Sequence, residues 1–71
     1  MAQGERSNKQ RASDASEVCQ LYGTLTGLSP TDELESLIGD LIADLLHLAK
    51  RKRIDTERVI RMGRMHCEEE I

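Results

Sequence analysis

Aromatic side chains are almost missing from this chain: among its 71 residues there is one Tyr, Tyr22, and neither Phe nor Trp. A core without rings must be filled by Leu and Ile, which suits helices packed on helices. Cysteine is also sparse. Cys19 and Cys67 stand far apart and form no CxxC pair, so nothing asks for a disulfide, and reduced thiols are the default expectation. No window approaches the run of about 18 apolar residues that a membrane span requires. Residues 1–12 are polar throughout and lack the apolar segment of a secretory signal. A cytoplasmic location, with no membrane partner, is expected. The net charge of −3 is too small to name a partner.

What the chain does have is aliphatic. Residues 29–51 carry Leu34, Leu37, Ile38, Leu41, Ile42, Leu45, Leu46 and Leu48. At 100° per residue these fill an arc of about 180°, wider than the seam of a two-stranded coiled coil. Such an arc needs at least two neighbours. Ser29 is a favoured N-cap, Pro30 suits the first helical position, and Asp32 and Glu33 complement the positive end of the helix dipole. Lys50, Arg51, Lys52 and Arg53 suit its other end. The spacing therefore predicts a helix over about residues 30–52.

A second helix is predicted over about 56–69. Asp55 caps it, Glu57 lies in its first turn, and Val59, Ile60, Met62, Gly63, His66 and Cys67 share a face on which Gly63 would let another backbone approach. A connection of two or three residues makes the pair antiparallel. Ahead of them, Ser13 can cap a short helix that places Ala15, Val18, Cys19 and Tyr22 on one face. The expected organisation is a disordered arm over 1–12, a short helix and linker over 13–28, and a helical hairpin over 29–71. The fold class is all-α. Because one hairpin leaves the arc half covered, two copies are expected to form a homodimer resembling a four-helix bundle. The dimer and core face comprises Leu34, Leu37, Ile38, Leu41, Ile42, Leu45, Leu46, Leu48, Val59 and Met62.

Three groups of polar residues bear on chemistry. Asp40, Asp44, His47 and Arg51 follow one another along the polar side of the long helix, where two carboxylates could share a hard cation. A solvated face with Asp44 paired to His47 explains them better. His66 and Cys67, as helical neighbours, diverge by about 100° and do not naturally chelate zinc, so a packed histidine and a buried thiol are expected. No arrangement of nucleophile and base emerges, so no catalytic residue is assigned. Lys50, Arg51, Lys52, Arg53, Arg58, Arg61 and Arg64 form a basic strip for a partner. A solvated basic face or an acidic protein partner fits this strip better than nucleic acid, given the acidic net charge, the Glu68-Glu69-Glu70 tail and the lack of stacking aromatics.

Residues 37–55, LIGDLIADLLHLAKRKRID, resemble the second metal-binding helix and following turn of the all-α nucleotide pyrophosphohydrolases, the MazG-like family. Gly39-Asp40, Leu48-Ala49 and Ile54-Asp55 carry the likeness. The resemblance implies a dimeric four-helix bundle that hydrolyses nucleoside triphosphates with magnesium, through Asp40 and Asp44. The family helix carries Glu-x-x-Asp, and here Leu37 stands where that Glu belongs; the nearest counterpart of the partner Glu-x-x-Glu is Asp14 and Glu17. Taken together, the residues predict a small non-enzymatic regulatory or adaptor protein that binds protein through its helices and uses no cofactor. A minimal or degenerate pyrophosphohydrolase using magnesium is the first alternative, and a small nucleic-acid-binding regulator the second.

Overall fold

In a computed structural model, residues 6–29 and 33–69 are described, and they form three α-helices with no strand among them. Helix α1 spans Asn8–Thr26, α2 spans Leu34–Arg51 and α3 spans Thr56–Glu69.

Helix α1 is much longer than the spacing predicts. The cap is Ser7 instead of Ser13: its hydroxyl oxygen accepts from the Gln10 N–H at 3.0 Å. Residues 8–12, expected in a disordered arm, are therefore helical; residues 1–5 of that arm lie outside the described residues. Polar pairs stitch this end together. Arg6 meets Asp14 at 2.5 Å, Gln10 donates to Asp14 at 3.1 Å, and Arg11 donates to Asn8 at 2.9 Å. None of these leaves an apolar period to read. At the other end, residues 23–26 continue the helix instead of forming a linker. Thr24 and Thr26 turn their hydroxyls back onto the carbonyls of Gln20 and Tyr22, which satisfies them inside a helix. Gly27 stops it in the left-handed region, φ 82°, with its N–H on the Gly23 carbonyl at 2.7 Å.

Helix α2 starts at Leu34, four residues later than predicted. Glu33, at φ −130° and ψ 37°, is its boundary residue and makes no side-chain cap. The Ser29 carbonyl accepts from Glu33 N–H at 3.1 Å. Pro30 and Asp32 lie outside the described residues. The C-terminal end falls at Arg51, one residue short of the prediction.

The turn into α3 is a Schellman motif. Ile54 N–H reaches the Ala49 carbonyl at 2.8 Å and Arg53 N–H reaches the Lys50 carbonyl at 3.1 Å. Arg53 takes the left-handed position, φ 60°, that glycine usually fills. Asp55 then caps α3, its Oδ1 accepting from the N–H groups of Glu57 at 3.0 Å and Arg58 at 3.2 Å. Sequence and structure agree on this helix.

Helices α1 and α3 lie on opposite flanks of α2. On the α1 side Cys19, Tyr22 and Leu37 form the core, with Leu28 and Leu41 packed against it. Leu37 is 0% exposed and is the one large side chain fully buried among the described residues. Ala49, beside the turn, is also buried. Helix α3 folds back along α2 so that Ile42 and Leu45 face Gly63 and Cys67 across a groove, and it buries none of its own residues.

Candidate functional site

Helical geometry places Leu37, Leu41 and Leu48 on the side of α2 that faces α1, and Leu46 on the side toward α3. Leu34, Ile38, Ile42 and Leu45 point between the two flanking helices, where the described residues leave them about half exposed. Two grooves result. One, of about 470 Å³, runs between Ala12, Ala15, Val18 and Cys19 of α1 and Leu34, Ile38, Leu41, Ile42 and Leu45 of α2. The other, of about 460 Å³, runs between Ile42, Leu45 and Leu46 of α2 and Val59, Ile60, Gly63, Arg64, Cys67 and Glu68 of α3. They share Ile42 and Leu45, so they are one apolar trough divided by the ridge of α2.

Of the ten residues assigned to the dimer and core face, Leu37 is buried and Leu41 and Leu46 are half-buried. Leu34, Ile38, Ile42, Leu45, Leu48, Val59 and Met62 are exposed, each between 39% and 53%. Sequence reasoning left Cys19 and Tyr22 out of this set, although they share the core with Leu37. Their period on α1 was the signal. Gly63 sits in the groove wall, but no neighbour comes close: an added Cβ would meet nothing within 4 Å. The expected close backbone approach at Gly63 is absent within one chain.

Comparison with family models, curated proteins and solved structures finds no match.

The polar residues are distributed differently from the pattern expected of them. Asp44 accepts a short hydrogen bond from the Tyr22 hydroxyl, so its partner is on α1 and not His47. That contact is what shifts Tyr22. The Asp44 carboxylate on the hydroxyl, burial, and the negative charges of Asp44 and Asp40 push its pKa up from 10.0 to about 12. His47 instead lines a shallow hollow with Ala43, Lys50, Thr56 and Glu57. Among the described residues no three His, Cys, Asp or Glu side chains come together as a metal site. Asp14, on α1, has its carboxyl held below the ordinary range by hydrogen bonds from Gln10 and Arg6.

His66 and Cys67 are both exposed, so the packed histidine and buried thiol expected there are not found; the buried thiol is Cys19. The reason is the open groove: among the described residues α2 is the one neighbour of α3 and does not close over it. The basic strip, Lys50, Arg51, Lys52, Arg53, Arg58, Arg61 and Arg64, is exposed at every position. Arg64 alone among these borders the trough. No helix among the described residues is long and apolar enough to cross a membrane.

Proposed function

We propose that this chain is a small non-enzymatic regulatory or adaptor protein that acts through helix-mediated binding, and that it pairs with a second copy over the trough. The observation that carries this reading is the exposure of the aliphatic ridge on α2, flanked by two further helices that open away from it. Apolar side chains are normally the material of a core, and here the described residues bury only Cys19, Tyr22, Leu37 and Ala49 among them. Isolated exposed leucines need no explanation, but a contiguous apolar patch marks a contact surface.

Area supports the same reading. The chain exposes 6088 Å². A folded monomer of its mass follows the usual scaling to roughly 4,500 Å². The excess is on the order of 1,500 Å², ample for the ~800 Å² that each partner contributes to a standard interface. Face-to-face pairing of two troughs would bring α2 and α3 of each copy into a four-helix-bundle-like arrangement, with α1 on its flank. Apart from Arg64, which borders the trough, the basic strip lies off it and is left for a protein partner of acidic character.

Sedimentation equilibrium at micromolar concentration tests the reading. The expected result is a particle of twice the 8.0 kDa of one chain. Replacing Ile38 and Ile42 together by Glu should return it to one chain while its helical circular dichroism persists. A native chain that stays at 8.0 kDa and folded would sink the proposal.

A further inference from the structure

Helix α3 is hollow where its apolar face should be fullest. At about 100° per residue Gly63 is the centre of that face, with Val59 on one side and Ile60 and Cys67 on the other, all within about 60°. All four border the groove between α2 and α3, and α3 buries none of its own residues. Glycine in the body of a helix is less favourable than alanine, so its presence there needs a reason. The chain itself offers none. Gly63 does not take the left-handed backbone that favours glycine, and a Cβ built on it meets nothing within 4 Å. Resting on the reading of the trough as a self-association face, we infer that Gly63 is the seat of closest contact in that pairing. An aliphatic side chain of the second copy is seated on it, walled by Val59 and Cys67 and by Ile42 and Leu45 across the groove.

The face that holds this recess also holds the side chains to fill it. Leu34, Ile38, Ile42 and Leu45 stand along the α2 ridge, each about half exposed. None of them reaches Gly63 of its own chain, since no side chain lies within 4 Å of where its Cβ would be. One surface therefore carries both projecting aliphatics and a receding glycine. That is the self-complementarity a two-fold contact needs, because each of its contacts occurs twice. In helix packing a side chain of one copy enters the hollow between residues of the other. At a glycine it reaches the backbone itself and gains dispersion contacts that a Cβ would displace. Arg64 and Glu68 stand at the margin of the groove and leave its rim polar, the layout of an interface with an apolar centre.

Three variants of the full chain, Gly63→Ala, Gly63→Leu and Gly39→Ala, compared with the native chain by sedimentation equilibrium, test the seat. Gly39 is the control: it lies in the body of α2, has the same open space where its Cβ would be, and lines neither groove. Each change replaces glycine by a better helix former, so circular dichroism should show at least native helicity in all three. Gly63→Ala should raise the dissociation constant by about tenfold and Gly63→Leu by more, whereas Gly39→Ala should leave it within about threefold of native. A Gly63→Ala dimer as tight as the native one or tighter, or a Gly39→Ala dimer weakened equally, overturns the seat at Gly63 while self-association stands. A native chain found as a monomer removes the self-association reading and this inference with it.

Discussion

At the scale of single residues, the link between Tyr22 and Asp44 is the contact that fixes α1 on α2, and nothing in the sequence announced it. The two residues are 22 positions apart, and neither belongs to a motif. Periodicity could place Tyr22 on the inner face of its helix, but it could not say that a carboxylate on the polar side of α2 would lie within reach of the phenol. The consequence is a pH dependence with a definite sign. Below pH 10 the hydroxyl keeps its proton in both folded and unfolded chains, and its contribution to stability is fully present. Above 10 the unfolded chain ionises while the folded one holds its proton to about 12, so stability falls across that window. Because Tyr22 is the sole aromatic, tyrosinate absorbance reports it without interference. We expect its midpoint near 12 in the native chain and back toward 10 in Asp44→Asn. Equal midpoints in the two proteins would show that the carboxylate does not hold the proton.

Elements were legible in proportion to how far side-chain pattern, rather than polar stitching, defines them. Helix α3 and its Asp55 cap were readable because the capping residue directly precedes an apolar period. The body of α2 was readable from its aliphatic arc. Its start was not, since Ser29 and Pro30 form a strong helix signal and the boundary at Glu33 has no sequence signature. The first helix was misjudged at both ends for a related reason: Ser7 and Ser13 are equally good caps on paper. Only the ladder from Arg6 and Gln10 to Asp14 decides between them. The turn at Arg53 supplies the prediction at this scale. A side chain at φ 60° costs about 1–2 kcal/mol relative to glycine. Against this, glycine loses more chain entropy on folding. Arg53→Gly should therefore raise stability modestly, by about 0.5–1 kcal/mol, read as a higher urea midpoint with unchanged slope. A lower midpoint would mean that the arginine side chain makes a contact worth more than the strain.

For the molecule as a whole, the sequence made plain that too much aliphatic surface was present, and the structure shows where it goes. One flank of the arc is spent on α1 and the other is brushed by α3, while the middle is left open. Two neighbours are therefore found within the chain, α1 and α3, yet they do not close over the ridge. The two thiols offer a test of whether something else does. Cys67 borders the trough and is exposed, whereas Cys19 is buried with Leu37. If copies pair over the trough, alkylation of Cys67 should slow as the chain is concentrated from well below to well above its dissociation constant. Cys19 should react slowly at every concentration. A Cys67 rate independent of concentration would place the contact on another surface.

The uncovered ridge also bears on how much of this protein a cell can keep. Lone copies carry bare Leu34, Ile38 and Ile42, the kind of surface that chaperones and proteases seize. If copies pair over the trough, supply below their dissociation constant would be cleared faster than supply above it. Dosage would then influence the protein's lifetime, gradually, as mass action dictates.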